Sequence, residues 1–155
     1  MIHRDITASN VVIASDNPLR LELIDLAFSK SYRVQDPTTG KKVHLTAGKT
    51  TTLWGTPMFA SINAESFQIQ SRRDDLEAAA YVLLWLRRRG HLPWDDLDST
   101  EYRIRCKKFF KIGAIEPVYG HYLDACWGLG FEENPQYGEW IHNFTQLRER
   151  LKPQL

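Results

Sequence analysis

The sequence predicts a mainly helical domain with one short β-hairpin near its N-terminus. Three observations lead there. Four stretches between residues 74 and 151 carry helix signals: apolar periodicity, acidic starts and Gly or Pro boundaries. Two short apolar stretches, Val11 to Ile13 and Leu21 to Ile24, flank the turn-rich Ser15-Asp16-Asn17-Pro18. Finally, 155 residues at 43% hydrophobic and 25% charged content are enough for one domain with a real core.

Composition narrows the function classes. A net charge of +1 lacks the strongly basic footprint of a dedicated nucleic-acid binder, so no nucleic-acid partner is expected. Cys106 and Cys126 make no disulfide framework and point to a reducing, intracellular compartment, cytoplasmic or nuclear. The longest apolar run, Ala78 to Leu86, is far short of the ~20 residues of a membrane span, and no membrane partner is expected. No signal peptide precedes the first motif.

That motif is His3-Arg4-Asp5-Ile6-Thr7-Ala8-Ser9-Asn10, before the apolar Val11-Val12-Ile13. It has the form H-R-D-x-x-x-x-N, the catalytic loop of eukaryotic protein kinases. In such a loop the Asp accepts the proton of a substrate hydroxyl. The Asn, five residues later, reaches a magnesium ion on the nucleotide phosphates. Asp5 and Asn10 have that spacing. Leu21-Glu22-Leu23-Ile24-Asp25 then ends an alternating strand in an Asp, where kinases carry the metal ligand of D-F-G; here the tripeptide is Asp25-Leu26-Ala27.

Two longer stretches narrow the family. Gly55-Thr56-Pro57-Met58-Phe59-Ala60-Ser61-Ile62-Asn63 and Gln70-Ser71-Arg72-Arg73-Asp74-Asp75-Leu76-Glu77 resemble the casein kinase 1 family, with G-T-x-x-[YF]-A-S-I-N and Q-S-R-R-D-D-L-E. Phe131-Glu132-Glu133-Asn134-Pro135-Gln136-Tyr137 is similar to its F-x-x-x-P-x-Y, and Leu92-Pro93-Trp94 to its L-P-W. Vaccinia-related and tau-tubulin kinases share this neighbourhood. The resemblance implies a serine/threonine kinase using ATP and Mg²⁺ on a protein substrate. Asp5 is then the base and Thr56 its orienter. Asn10 and Asp25 hold the metal and nucleotide phosphates, and His3, Arg4 and Asp75 support them from behind.

The remaining elements follow in order. Residues 36–52 hold Asp36, Pro37, Gly40, Gly48 and several threonines, and read as a long mobile loop. Thr46, Thr50, Thr51 and Thr52 are candidate phosphorylation sites. Ala47-Gly48-Lys49-Thr50 is not a P-loop, which needs Gly where Val43 stands. Residues 74–89 predict a helix with Ser71 as N-cap, buried all round from Ala78 to Leu86, with Gly90 as left-handed cap. Residues 102–111 read as a basic helix with a solvated face. A break across 113–117 precedes helices over 118–129 and 136–151, with Pro153 as a stop. Tyr122, Trp127, Phe131, Tyr137, Trp140 and Phe144 are the expected lower core.

Residues 1–155 thus read as a partial kinase domain: a protein-kinase-like large (C-terminal) lobe, with the N-terminal lobe absent. The catalytic loop spans 3–10, the metal-binding Asp segment 24–27, the activation segment 25–63 and the helical lobe 71–151. The Gly-rich loop, strand lysine and helix glutamate that hold ATP are not found, so ATP is a partner where an N-terminal lobe is present. Three departures oppose an enzyme. Thr7 replaces the usual Lys of H-R-D-x-K, Ala27 the Gly of D-F-G, and Met58 an Arg of the casein kinase 1 anion site. The alternative is an inactive pseudokinase or interaction scaffold.

Overall fold

The computed structural model describes residues 1–110 and 117–152. The expected helix end at Lys111, the break across 113–116 and the stop at Pro153 lie outside the described residues. Among those described, the chain is mainly helical, with two small antiparallel sheets.

The first sheet is the expected hairpin. β1 (Val11–Ala14) pairs with β2 (Asn17–Leu23) in the register Val11↔Leu23, Val12↔Glu22 and Ile13↔Leu21. The turn is tighter than expected, at Ser15-Asp16, and β2 starts earlier. Leu19, Leu21 and Leu23 alternate along β2, yet the whole strand is exposed, Leu19 at 93%.

The second sheet places a strand inside the expected loop over 36–52. β3 (Arg33–Gln35) pairs with β4 (Lys42–His44), with Val34 opposite Val43. Asp36 folds the connection by accepting from the N–H groups of Thr38 and Thr39 at 2.8 and 2.7 Å. These bonds hold its carboxyl below the usual range. Gly40 takes a φ of 69°, and its N–H donates to the Asp36 carbonyl.

A short helix, α1 (Ile62–Glu65), had no separate sequence signal. Ser61 caps it by accepting from Ala64 N–H at 3.0 Å. α2 (Arg72–Arg87) is the centre of the fold. Ser71 is its N-cap, and Asp74 in the first turn accepts from the Ser71 N–H at 2.7 Å. Tyr81 and Leu84 are 1% exposed, whereas Leu86 is half-exposed, so α2 is not buried all round. Both Arg89 and Gly90 adopt left-handed conformations at its end. Burial of each large core side chain contributes up to ~1.5–3 kcal/mol.

α3 (Thr100–Phe109) corrects the solvated-face reading. The Lys107 side chain is fully buried and that of Arg103 is 11% exposed, because both pair with the buried Glu65 of α1. Arg105 and Lys108 remain exposed.

α4 (Pro117–Gly128) packs on α2, and α5 (Tyr137–Leu151) on α4. The Tyr122 ring meets Trp140 and Phe144 edge-on at 5.1 and 5.3 Å, and Trp127 joins the same core. Phe131 and Tyr137 do not. Phe131 lies on the His44 ring at 5.1 Å, and Tyr137 is 45% exposed. Arg72 instead ties the start of α2 to this region, donating to the carbonyls of Glu132 and Glu133 and to Asn134 Oδ1.

Candidate active site

The loop from His3 to Asn10 is held from three sides. At its start, Ile2 bridges to Lys30 through backbone bonds of 2.8 and 2.9 Å. Below it, the Asp75 carboxylate accepts from the N–H groups of His3 and Arg4 at 2.6 and 2.9 Å. Arg4 has a φ of 68°, a conformation costly for a side-chain-bearing residue, and the paired Asp75 bonds fix it. Burial pushes the Asp75 carboxyl up, against the two backbone bonds that pull it down. Burial likewise lowers the Arg4 guanidinium, with Asp75 opposing.

His3 joins the loop to the Asp25 segment. Its Nδ1 lies 3.3 Å from Asp5 N and its Nε2 lies 3.0 Å from the Ile24 carbonyl. An acceptor at Nδ1 and a donor at Nε2 satisfy both, which assigns the neutral Nε2–H tautomer from the network. Arg4 donates to the Phe28 carbonyl at 2.5 Å and lies over the Trp54 ring at 4.9 Å.

The third side is the turn after Gly55. Thr56 donates twice to Asp5 Oδ1, from its backbone N at 2.8 Å and its Oγ1 at 2.9 Å. Charge-assisted bonds of this kind are the stronger class. Gly55 makes the approach possible. Its φ is 97°, and a Cβ there would lie 2.3 Å from the Arg4 carbonyl oxygen. No described residue hydrogen-bonds Asp5 Oδ2, so that oxygen is open to another proton donor.

Asn10 is buried and donates its amide Nδ2 to the Asp5 carbonyl at 3.0 Å. Its own carbonyl accepts from Ile24 N–H at 2.9 Å, next to Asp25. Asp25 is exposed, with a φ of 63°, and its Oδ1 accepts from Ala27 N–H at 3.1 Å. The Asn10 and Asp25 side chains therefore each keep an oxygen for a hard cation. Mg²⁺ is held by one or two protein oxygens plus phosphate and water oxygens, so this donor set fits it.

Thr7 does not reach outward. It is 3% exposed, and its Oγ1 accepts from Asn10 N–H at 3.3 Å and meets Ser9 Oγ at 2.8 Å. Gln70 received no role from the sequence. Its Nε2 donates to the Trp54 carbonyl at 2.9 Å, holding the chain just before Gly55.

A family model described as fungal protein kinase matches residues 1–87, more than half of the chain. The casein kinase I homolog RAG8 of Kluyveromyces lactis is 35% identical over 150 residues, 88% of this chain. Casein kinase I homologs 1 and 2 of Saccharomyces cerevisiae are 35% and 33% identical over the same share. The chain spans about a quarter (27%) of the length of these relatives. The resemblance carried by the Gly55–Asn63 and Gln70–Glu77 stretches is borne out in these matches. The chain belongs to the fungal protein kinase family.

Proposed function

We propose that residues 1–155 form the large lobe of a serine/threonine kinase domain, which transfers the γ-phosphoryl group of ATP to protein hydroxyls. The observation that carries this reading is the convergence on Asp5. Thr56 occupies Oδ1 twice, Asn10 holds the Asp5 carbonyl, and Asp75 holds the two residues before it. Such a carboxylate is fixed in rotamer with Oδ2 open. It takes the proton of a serine or threonine hydroxyl as that oxygen bonds to the γ-phosphorus. The bond from the γ-phosphorus to its bridging oxygen breaks, and ADP leaves. Asn10 and Asp25 would hold Mg²⁺, which neutralises phosphate charge when bound. The apolar, exposed β1–β2 hairpin would floor the nucleotide site beneath a phosphate-holding lobe, in a protein acting inside the cell.

One observation favours a second reading, an inactive kinase-like interaction module. Thr7 is a buried cap of the loop and brings no positive charge to the γ-phosphate. Magnesium-dependent phosphate transfer by the protein at its endogenous length, beside its Asp25→Asn variant, separates the two. The proposal expects transfer that Asp25→Asn largely abolishes. Equal rates in both proteins, or none in either, leave the module reading.

A further inference from the structure

Lys107 of α3 is among the most buried side chains of the molecule, and the site described so far does not use it. Its side chain is fully buried, and its Nζ makes three hydrogen bonds: to the carbonyls of Pro57 and Ala60 at 2.9 and 2.8 Å and to Glu65 Oε2 at 2.7 Å. An ammonium has three donors, so its capacity is filled. It also sits over the rings of Tyr81 and Trp94 at 5.1 and 5.6 Å. Glu65 gives its other oxygen to Arg103 Nε at 2.6 Å, so one buried carboxylate anchors two cations of one helix.

Pro57 and Ala60 belong to the turn that begins at Thr56. The Thr56 carbonyl accepts from the N–H groups of Phe59 and Ala60 at 3.0 and 2.9 Å. Trp94 Nε1 donates to the Met58 carbonyl at 2.8 Å. Two of the carbonyls that follow Thr56 are thus held by Lys107 and a third by Trp94. At the other end of the same turn, Thr56 makes both of its bonds to Asp5.

A buried ion cluster is weak evidence of stability, because desolvation offsets the attraction. What this cluster does is fix geometry. We propose that Lys107, held by Glu65 and Arg103, is a positioning residue for phosphoryl transfer: it clamps the Thr56–Ala60 turn and through Thr56 sets the Asp5 carboxylate. This rests on the reading of Asp5 as the base.

The test uses Lys107→Met, similar in length and apolar, in the protein at its endogenous length. Leu123→Ala, a core change between α2 and α4, serves as the control. Two readouts are taken: amide exchange at Thr56, Leu84 and Leu123, and kcat with KM for ATP. Lys107→Met should accelerate exchange at Thr56 about tenfold more than at Leu84, and Leu123→Ala should not. It should lower kcat by about a hundredfold and leave KM for ATP within about twofold. Acceleration at Thr56 no greater than at Leu84, or an unchanged kcat, overturns the proposal. Should Lys107→Met fail to fold, Glu65→Gln, which keeps the shape but removes the charge that holds Lys107, is judged by the same criteria. If the wild-type protein transfers no phosphate, the kinase reading fails by itself. The Thr56 exchange result still decides whether Lys107 sets Asp5.

Discussion

Asp5 is held by Thr56, a residue 51 positions away, and that pairing fixes where its carboxylate lies. Thr56→Ala removes the 2.9 Å hydroxyl bond and keeps the 2.8 Å amide bond. Loss of one hydrogen bond to a charged group costs about 1.5 kcal/mol, so kcat should fall about tenfold, and Thr56→Ser should restore it. Steady-state kinetics of both variants check this. The sequence reads Glu77 only as an acidic residue of the early turns of α2, whereas its partners, Ile62 N at 2.8 Å and Tyr81 Oη at 2.7 Å, are set by packing. Burial raises its carboxyl from 4.5 to about 6. The folded state then holds a proton that the unfolded chain has released. The stability this contributes is present below pH 4.5 and is lost as pH rises through about 6. Glu77→Gln should remove that decline relative to wild type across this window in urea unfolding. Parallel curves for the two proteins would refute it. Asp5 and Asn10 were legible in the sequence because their relation is a fixed local spacing. Thr56 and Asp75 were legible only through the resemblance, because nothing local ties residues 56 or 75 to residue 5.

The elements differ in how much of themselves they write into the sequence. α2, α4 and α5 were found because each is long and bounded by Gly, Pro or a capping residue. β3 and β4 are three residues each, too short for a two-residue period to show, and their turn chemistry read as loop. Lys107 and Arg103 misled in a different way. A run of cations usually faces water, and only the fold brings Glu65 to meet them. Two predictions belong at this scale. Gly55→Ala places a Cβ 2.3 Å from the Arg4 carbonyl oxygen at a φ of 97°, so the loop and the Thr56 turn must separate. It should destabilise the protein by about 1–3 kcal/mol and lower kcat, as read by urea unfolding and kinetics. Asp75→Asn loses one of the two acceptors beneath His3 and Arg4 and should cost about 1–3 kcal/mol in the same unfolding assay. Stability equal to wild type would mean Asp75 does not hold the loop.

For the molecule as a whole, the helical core around α2 supports one edge on which the loop, the Asp25 segment and the Thr56 turn meet. The exposed apolar side chains of β1 and β2 lie beside that edge, in a chain that spans 27% of the length of its curated relatives. No helix among the described residues is long and apolar enough to cross a membrane. The mainly helical class was legible from the helix signals between residues 74 and 151, and the family from short motifs spread between residues 3 and 137. Thr7 and Ala27 act through charge and backbone freedom beside the site, properties that motif spacing does not carry. The most direct measurement is transfer of radiolabelled γ-phosphate to a protein substrate by the protein at its endogenous length, wild type against Asp5→Asn. The Asn keeps an oxygen for Thr56 to bond and loses the base. Wild type should transfer phosphate, and the variant should transfer at least about a hundredfold less with its fold intact. Equal transfer by the two proteins would contradict the reading of Asp5 as the base.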